Sequence, residues 1–130
     1  MADTILIIDA EKAARKELEL VLAKEEFQVF ASGDYDAALS ILGREEIAVL
    51  IADLQLHGGN GWKVALEQMN EHPAMVVFAT SQNVDLKLGR AMIKRGVREI
   101  LYKPYSAQML AKKINFAMRT RGGRAVADAK

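Results

Sequence analysis

The sequence predicts an α/β fold, a doubly wound sheet of five parallel strands with five helices. Two features of the chain predict it. Short runs of apolar, mostly β-branched residues alternate with longer stretches whose apolar residues recur at helical spacing. The runs are continuously apolar, which is typical of strands covered on both faces, and parallel strands need crossover connections of this length. A chain of 130 residues also has the usual size of one domain.

Five apolar runs are interpreted as the strands. The first, residues 4–8, stops abruptly at Asp9. The third, residues 47–52, likewise runs into an aspartate, Asp53. The other three predicted strands are residues 28–31, 75–79 and 99–102. Because crossovers between parallel strands are right-handed, we expect the helices to cover both faces of the sheet.

Each predicted helix follows a strand and presents one apolar face. The helices are expected at residues 11–25, 35–42 with Gly43 as the end, 62–71, 84–95 before Gly96, and from Ser106 onward. The apolar residues expected on their inner faces are Leu18, Val21, Leu22, Tyr35, Ala38, Leu39, Leu42, Trp62, Ala65, Leu66, Met69, Leu110, Ile114 and Ala117. The sequence from Ser32 to Asp34 indicates a turn and a helix cap, and the glycine-rich residues 57–61 indicate a loop. We expect residues 1–120 to form the domain and residues 121–130, rich in Gly, Ala and charge, to be a flexible tail or linker stub.

Composition excludes several classes of protein. Hydrophobic residues make up 51% of the chain and charged residues 27%, which excludes intrinsic disorder for its bulk. The absence of cysteine excludes disulfides, thiolate metal sites and a cysteine nucleophile, and it fits a cytoplasmic protein. A net charge of +1 argues against a protein held on nucleic acid by phosphate contacts. The apolar runs are too short to span a membrane, and we expect no signal peptide.

Polar side chains stand where four of the predicted strands end. These are Asp9, Asp53, Thr80 and Lys103, after the first, third, fourth and fifth strands. Taken singly, each has an ordinary explanation, such as a helix cap for Asp9 or a solvated lysine for Lys103. Ligands of open parallel sheets bind beyond the carboxyl ends of the strands, so together these four residues predict a site at that edge.

These residues resemble the receiver domain of two-component response regulators. The matching segments are Ile5 to Asp9, Asp53-Leu-Gln-Leu with Gly61 eight residues on, Ala79-Thr80-Ser81, and Lys103-Pro104-Tyr105. The resemblance covers residues 4–118. It implies a flavodoxin-like sheet of strand order 2-1-3-4-5 and a cis peptide bond before Pro104.

The resemblance also implies a role for each site residue. Asp53 would accept a phosphoryl group from a sensor histidine kinase or phosphotransfer protein. Thr80 would bind a phosphoryl oxygen, and Lys103 would pair with the phosphoryl charge. A Mg²⁺ ion would be held by Asp9, Asp53 and the backbone carbonyl of Gln55. Positive charge of this kind is what an anionic aspartate needs in order to attack an anionic phosphoryl group.

The chain departs from the receiver pattern at three positions. Receivers carry two successive acidic residues after the first strand, but here Asp9 is followed by Ala10, which has no oxygen ligand. We expect Glu11 to point elsewhere, so that Mg²⁺ binding is weak. His57 replaces the usual proline four residues after the phosphoacceptor. Ile100 replaces the aromatic switch residue three positions before Lys103, and Tyr102 is not expected to take its place.

Three functions are compatible with the sequence. The first is a phosphorylated receiver, catalysing only its own phosphoryl acceptance and hydrolysis, that signals through its fourth helix, fifth strand and fifth helix to an output protein, a fused effector domain or a second copy. The second is a pseudo-receiver that binds a partner without phosphorylation. The third, an enzyme acting on a small phosphorylated ligand, is disfavoured because no glycine occurs between Asp9 and Lys12. The basic residues Lys112, Lys113, Arg119, Arg121 and Arg124 are interpreted as a solvated helix face or linker, with no direct nucleic-acid contact expected.

Overall fold

The computed structural model describes residues 3–56 and 60–120. In chain order its elements are β1 (Thr4–Ile8), α1 (Lys12–Lys24), β2 (Gln28–Ser32), α2 (Tyr35–Arg44), β3 (Val49–Asp53), α3 (Gly61–Glu71), β4 (Val76–Ser81), α4 (Leu86–Lys94), β5 (Glu99–Tyr102) and α5 (Ala107–Arg119). The strands form one sheet in the order β2-β1-β3-β4-β5. All four strand pairs are parallel. The predicted fold class and strand order are therefore confirmed.

Alternate side chains of the strands build two separate cores, one on each face of the sheet. On one face, Leu6 and Leu50 pack with buried residues of α2, α3 and α4. On the other face, Ile5 and Ile51 pack with α1 and α5. The central strands β1 and β3 are buried from Ile5 to Ile8 and from Val49 to Ala52, as their continuous apolar runs predict.

The helices begin and end within two residues of the predicted bounds, and one inner-face residue of α2 differs from the prediction. Leu39 was expected on the inner face but is 39% exposed, whereas Ile41 is buried. The prediction for Leu39 is wrong because both positions fit a helical period, and the direction of the sheet decides between them. The helix also continues past Gly43 to Arg44. Gly96 does end α4, with a φ of +116° that favours glycine.

Capping side chains fix the starts of three helices, including the one that the sequence from Ser32 to Asp34 indicates. The Asp34 carboxylate accepts a hydrogen bond from the backbone N–H of Ala37 at the start of α2. Asp85 and Ser106 cap α4 and α5 in the same way. Residues 57–59, including His57, and the predicted tail 121–130 lie outside the described residues.

Three strands extend further toward their carboxyl ends than the sequence predicts, and β2 does so by one residue, Ser32. β3 includes Asp53, and β4 includes Thr80 and Ser81. The register places Asp53 beside Thr80, and Ser81 beside Tyr102. The polar residues of this edge are thus held by the sheet itself rather than by mobile loops. None of the described helices has the length and apolar character needed to cross a bilayer.

Candidate functional site

One ammonium group lies among the carboxylates at the carboxyl edge of the sheet. Lys103 Nζ lies 3.0 Å from Asp9 Oδ2 and 3.5 Å from Asp53 Oδ2. Asp9 is 2% exposed and Asp53 is 5% exposed, so both carboxylates are largely removed from water. The structure thus brings together three of the residues that the sequence predicts at this edge.

Backbone hydrogen bonds continue past the strand ends and hold these residues in place. The Asp9 N–H donates to the Ser32 carbonyl at 3.0 Å, and the Lys103 N–H donates to the Ser81 carbonyl at 2.8 Å. The Leu54 N–H donates to the Thr80 carbonyl at 2.9 Å. The positions of the polar residues at this edge are therefore fixed by the same hydrogen-bond ladder that builds the sheet.

Asp53 is a buried carboxylate, and its surroundings act on its pKa in opposite directions. Its Oδ1 accepts a hydrogen bond of 2.9 Å from the Gln55 backbone N–H. Burial, and to a smaller degree the charge of Asp9, raises the pKa of Asp53, while the Gln55 N–H and Lys103 act in the lowering direction. The result is a carboxylate that is more basic than usual, which favours a role as nucleophile.

Lys103 is held as a cation. Burial alone would lower its pKa, but hydrogen bonds to Asp9 and Glu11 and the charges of Asp53 and Asp9 raise the pKa of Lys103 above its ordinary value. Its side chain is 11% exposed. A fixed positive charge beside Asp53 suits the stabilisation of a developing anion.

Thr80 carries a hydroxyl group without a partner. The residue is 1% exposed, and its Oγ1 accepts or donates no hydrogen bond within the described part of the chain. Leaving a buried hydroxyl unpaired costs about 1–3 kcal/mol. Thr80 is in register with Asp53, so this buried hydroxyl belongs to a residue of the same sheet edge.

Gly61 allows α3 to start directly against the Asp53 backbone. A Cβ atom at this position would lie 2.5 Å from the Asp53 carbonyl oxygen and 3.0 Å from the Leu54 carbonyl. The Tyr35 hydroxyl donates to the Gly61 carbonyl at 3.3 Å, which ties α2 to the same point. A glycine eight residues after Asp53 is therefore required by close backbone approach.

The expectation for Glu11 is wrong. Its Oε1 lies 3.0 Å from Lys103 Nζ and accepts a hydrogen bond from it, so the side chain points toward the site and not away from it. Ala10, in contrast, contributes no side-chain oxygen, and its carbonyl accepts a bond of 3.2 Å from Arg15 Nη1. The acidic residue at position 11 was visible in the sequence, but nothing in the sequence indicated its reach to Lys103.

The oxygen donors at this edge are of the kind that Mg²⁺ prefers. Asp9 Oδ2 is buried and accepts no hydrogen bond of good geometry, and the cation next to it is the Lys103 ammonium, 3.0 Å away. Within residues 3–56 and 60–120, however, no three acidic or histidine side chains are grouped closely enough to hold a metal ion. The ligand atoms are therefore of the type that Mg²⁺ binds, but there is one carboxylate fewer than in a receiver with two successive acidic residues after its first strand.

Ile100 and Tyr102 lie on the same face of β5 and line a cleft against α4. The cleft has a volume of about 290 Å³ and also contains Trp62 and Gln55. A Cβ at Gly89 of α4 would lie 3.1 Å from the Tyr102 hydroxyl and 3.4 Å from Ile100 Cδ1. The position of the aromatic switch is thus filled by an aliphatic side chain, as the sequence shows.

A sequence model of the response regulator receiver domain matches residues 5–115 of the chain. The chain belongs to the receiver domain family. Receiver domains are not classical enzymes; they act with kinases and effector domains and generally bind Mg²⁺. The membership is consistent with two-component signalling.

Solved structures give the same fold. A CheY-like receiver domain protein from Methanospirillum hungatei is 18% identical, with a TM-score of 0.88 over 95% of this chain and 99% of that one. The BeF3-activated receiver domain of DrrB is 17% identical, with a TM-score of 0.82 over 92% of this chain and 99% of that one. NtrX from Brucella abortus is 26% identical, with a TM-score of 0.84 over 100% of this chain. The receiver domain described here spans only 30% of the NtrX chain, which is therefore a much longer protein.

Proposed function

We propose that this receiver domain accepts a phosphoryl group on Asp53 from the phosphohistidine of a sensor histidine kinase or phosphotransfer protein. The observation that carries the proposal is that the carboxylates of Asp9 and Asp53 meet at the Lys103 ammonium, on the same sheet edge as the unpaired hydroxyl of Thr80. The raised pKa of Asp53 supports the same assignment. In the cell, we place the domain in the cytoplasm, in keeping with a chain that has no cysteine.

In the proposed reaction, a carboxylate oxygen of Asp53 attacks the phosphorus atom. The new oxygen–phosphorus bond forms as the nitrogen–phosphorus bond of the phosphohistidine breaks, and the imidazole nitrogen leaves with that electron pair. Both reacting groups are anionic, so the protein contributes chiefly position and positive charge. Lys103 Nζ, 3.5 Å from Asp53 Oδ2, supplies a fixed positive charge at the point where the phosphoryl group arrives.

Thr80 connects the phosphoryl group to the rest of the domain in this proposal. Its hydroxyl donates to a phosphoryl oxygen and gains the hydrogen bond that it lacks in the unphosphorylated structure. Thr80 is the penultimate residue of β4, and α4 begins five residues after that strand ends. A movement of Thr80 toward Asp53 is therefore transmitted to the segment that leads into α4.

A Mg²⁺ ion would be held by the carboxylates of Asp9 and Asp53 and by the backbone carbonyl of Gln55. When bound, it supplies positive charge that offsets the negative charge of the transferred group. Ala10 removes one direct ligand, and Mg²⁺ retains water in place of missing protein ligands. Weak binding of Mg²⁺ is therefore part of the proposal.

The proposed output surface comprises α4, β5 and α5. Large apolar side chains on it are exposed: Leu86 and Ile93 on α4, and Met109 and Phe116 on α5. Groups of exposed apolar side chains are typical of surfaces that contact other proteins. The proposed partners are an output protein, a fused effector domain or a second copy of this chain.

A pseudo-receiver is the second candidate, and Ala10 favours it. The Lys103 ammonium already has three carboxylate partners in the unphosphorylated structure, Asp9, Glu11 and Asp53. A receiver that lacks one metal ligand, and whose Lys103 is already paired with carboxylates, can bind a partner protein in a single conformation without phosphorylation. Phosphorylation distinguishes this function from the first.

The test is incubation of the protein with acetyl phosphate and Mg²⁺, followed by intact-mass and peptide mass spectrometry. We expect the mass of one added phosphoryl group, located on Asp53 and absent from Asp53→Asn. Asp36→Asn, the same change at an exposed aspartate of α2, is the matched control and should be labelled like the wild type. Equal labelling of Asp53→Asn would refute Asp53 as the acceptor, and no labelling of the wild type by acetyl phosphate or a histidine kinase would support the pseudo-receiver.

A further inference from the structure

We propose that Glu11 is a positioning residue of this site, which holds the Lys103 ammonium next to Asp9 and competes for it with an anion bound at Asp53. The inference deepens the proposed function and rests on it, since the competing anion is the phosphoryl group of Asp53. It concerns a residue outside the set that the sequence predicts for the site.

The contacts of Lys103 carry the inference. Lys103 Nζ lies 3.0 Å from Glu11 Oε1 and 3.0 Å from Asp9 Oδ2, but 3.5 Å from Asp53 Oδ2. Its hydrogen bond to Glu11, at 3.0 Å, is shorter than the one to Asp9 Oδ1, at 3.2 Å. The ammonium therefore lies closer to Asp9 and Glu11 than to the proposed phosphoacceptor, to which it donates a longer hydrogen bond of 3.5 Å.

The backbone around Glu11 explains why its side chain reaches the site. Glu11 is the N-cap residue of α1, with an extended backbone (φ −80°, ψ 115°), and its side chain makes no capping hydrogen bond to the helix. The Glu11 backbone N–H donates to Asp9 Oδ1 at 2.8 Å. The residue is thus fixed against Asp9, while its carboxylate remains available to Lys103.

The charge of the site follows from this arrangement. Asp9, Glu11 and Asp53 place three carboxylates around one ammonium, although Ala10 contributes none. Glu11 therefore restores the missing negative charge, but it places that charge against the lysine. An anion at Asp53 is opposed by Glu11 both through repulsion and through competition for Lys103, whereas a cation is attracted by it.

Glu11 stands at the rim of the site, where its carboxylate is open to solvent. Its side chain is 58% exposed, whereas that of Lys103 is 11% exposed. Glu11, Lys103 and Tyr105 line a groove of about 390 Å³. Removal of the carboxylate therefore leaves no buried cavity, and the effect of a substitution reports on charge and contact rather than on packing. Because the carboxylate is exposed, its interaction with Lys103 is screened and its expected effects are modest.

The interaction between Glu11 and Lys103 is tested first, in the absence of any phosphoryl group. A double-mutant cycle compares the urea unfolding of the wild type, Glu11→Gln, Lys103→Met and the double variant. We expect Glu11→Gln to raise the unfolding equilibrium constant of the wild type by roughly two- to fivefold, because an ion pair is lost, and to have no such effect when Lys103 is already methionine. An equal effect in both backgrounds would overturn the proposal, because Glu11 would then act independently of Lys103.

The competition is tested with beryllium trifluoride, an anion that adds to an aspartate carboxylate as a phosphoryl group does, and with Mg²⁺ alone. Trp62 is the only tryptophan and lines a cleft with Gln55 next to the site, so its fluorescence can report both titrations. For Glu11→Gln we expect about two- to fivefold tighter binding of beryllium trifluoride at saturating Mg²⁺, and weaker binding of Mg²⁺ alone by a similar factor. Opposite shifts of the two affinities are not expected from a residue with a purely structural role.

Glu11→Asp distinguishes the effect of the contact with Lys103 from the effect of the negative charge. It keeps the carboxylate but shortens the side chain by one methylene, so we expect it to tighten beryllium trifluoride binding while leaving the Mg²⁺ affinity near that of the wild type. Glu17→Gln, which removes an exposed carboxylate from the same helix, is the control and should leave both affinities unchanged. If Glu11→Asp binds beryllium trifluoride as the wild type does, contact with Lys103 is irrelevant and the proposal is refuted. If the wild type binds no beryllium trifluoride, the proposed function fails, and the unfolding cycle still decides whether Glu11 holds Lys103.

Discussion

Replacement of Gly61 by alanine should disturb the site through the backbone of Asp53. The added Cβ would lie 2.5 Å from the Asp53 carbonyl oxygen and 3.0 Å from the carbonyl carbon and oxygen of Leu54. All three atoms belong to the backbone, so no side-chain rotation can relieve the overlap. Either the start of α3 or the segment that follows β3 must move.

The expected loss of stability in Gly61→Ala is the cost of the steric overlap minus the gain in helix propensity. Forcing an additional carbon into a packed position costs about 1–3 kcal/mol. Replacing glycine by alanine in a helix returns up to about 1 kcal/mol, because alanine loses less backbone entropy on folding. We therefore expect Gly61→Ala to lower the free energy of unfolding by about 1–2 kcal/mol, which for a domain of this size is a fall of several degrees in Tm.

Gly43→Ala is the matched control for this change. Gly43 lies in the last turn of α2, and no atom comes within 4 Å of a Cβ placed there. The control should gain about 0.5–1 kcal/mol from helix propensity alone. Thermal and urea unfolding of both variants, together with beryllium trifluoride titration, measure the difference. Unchanged stability and anion affinity in Gly61→Ala would refute the claim that close approach at this glycine positions Asp53.

Two further predictions concern the charges of the site. Burial raises the pKa of Asp53 in the folded state, so its charge opposes folding above the pKa of the unfolded chain, and Asp53→Asn should raise Tm at pH 7 by an amount that disappears as the pH falls toward 4. A gain in Tm that is the same at both pH values would contradict this. Ala10→Asp adds a carboxylate at the proposed metal-binding edge, where two unit charges about 4 Å apart interact by roughly 4 kcal/mol before desolvation is subtracted. We expect Mg²⁺ to bind at least about tenfold more tightly and the metal-free protein to be less stable, as measured by calorimetry and melting; unchanged Mg²⁺ affinity would show that this position is not equivalent to a metal ligand.

The fold could be predicted from the sequence because each strand is a short apolar run. The parallel sheet with helices on both faces followed once five such runs alternated with helices, whereas the strand order followed from the resemblance to receiver domains. The ends of β3 and β4 were placed one or two residues too early, because Asp53, Thr80 and Ser81 are polar residues within buried strands. An assignment based on apolar runs ends each strand at its first polar residue, so it leaves out the polar residues of the candidate site.

The error at Leu39 has a different cause. Helical spacing admits both Leu39 and Ile41 near the apolar stripe of α2, and their hydrophobicities are similar. Only the packing of α2 against β1 and β2 decides that Ile41 is buried and Leu39 is exposed. Such a choice depends on tertiary contacts that a single helix does not encode.

The position of the site was predictable from the strand ends, but its electrostatic arrangement was not. Asp9, Asp53, Thr80 and Lys103 each follow or close a strand, and the sheet brings them to one edge. Glu11 lies in the same loop as Asp9, yet its partner is 92 residues away in the chain. A long side chain on an extended N-cap residue can reach many places, and the sequence alone does not say which one.

The position of the third carboxylate, more than its presence, separates the two candidate functions. A carboxylate at position 10 would lie with Asp9 as a metal ligand and would favour a cation beside Asp53. At position 11 it binds Lys103 instead, at 3.0 Å, and the same negative charge draws the lysine toward Glu11, so that the contact with Asp53 is the longer one at 3.5 Å. If the domain accepts a phosphoryl group, that group must displace Lys103 from Glu11 while Mg²⁺ binds weakly, so we expect the phosphorylated state to be formed less readily than in Ala10→Asp. If the domain is a pseudo-receiver, the same ion pairs keep the site in one state, and Ala10→Asp combined with Glu11→Gln is the variant in which phosphoryl acceptance should appear.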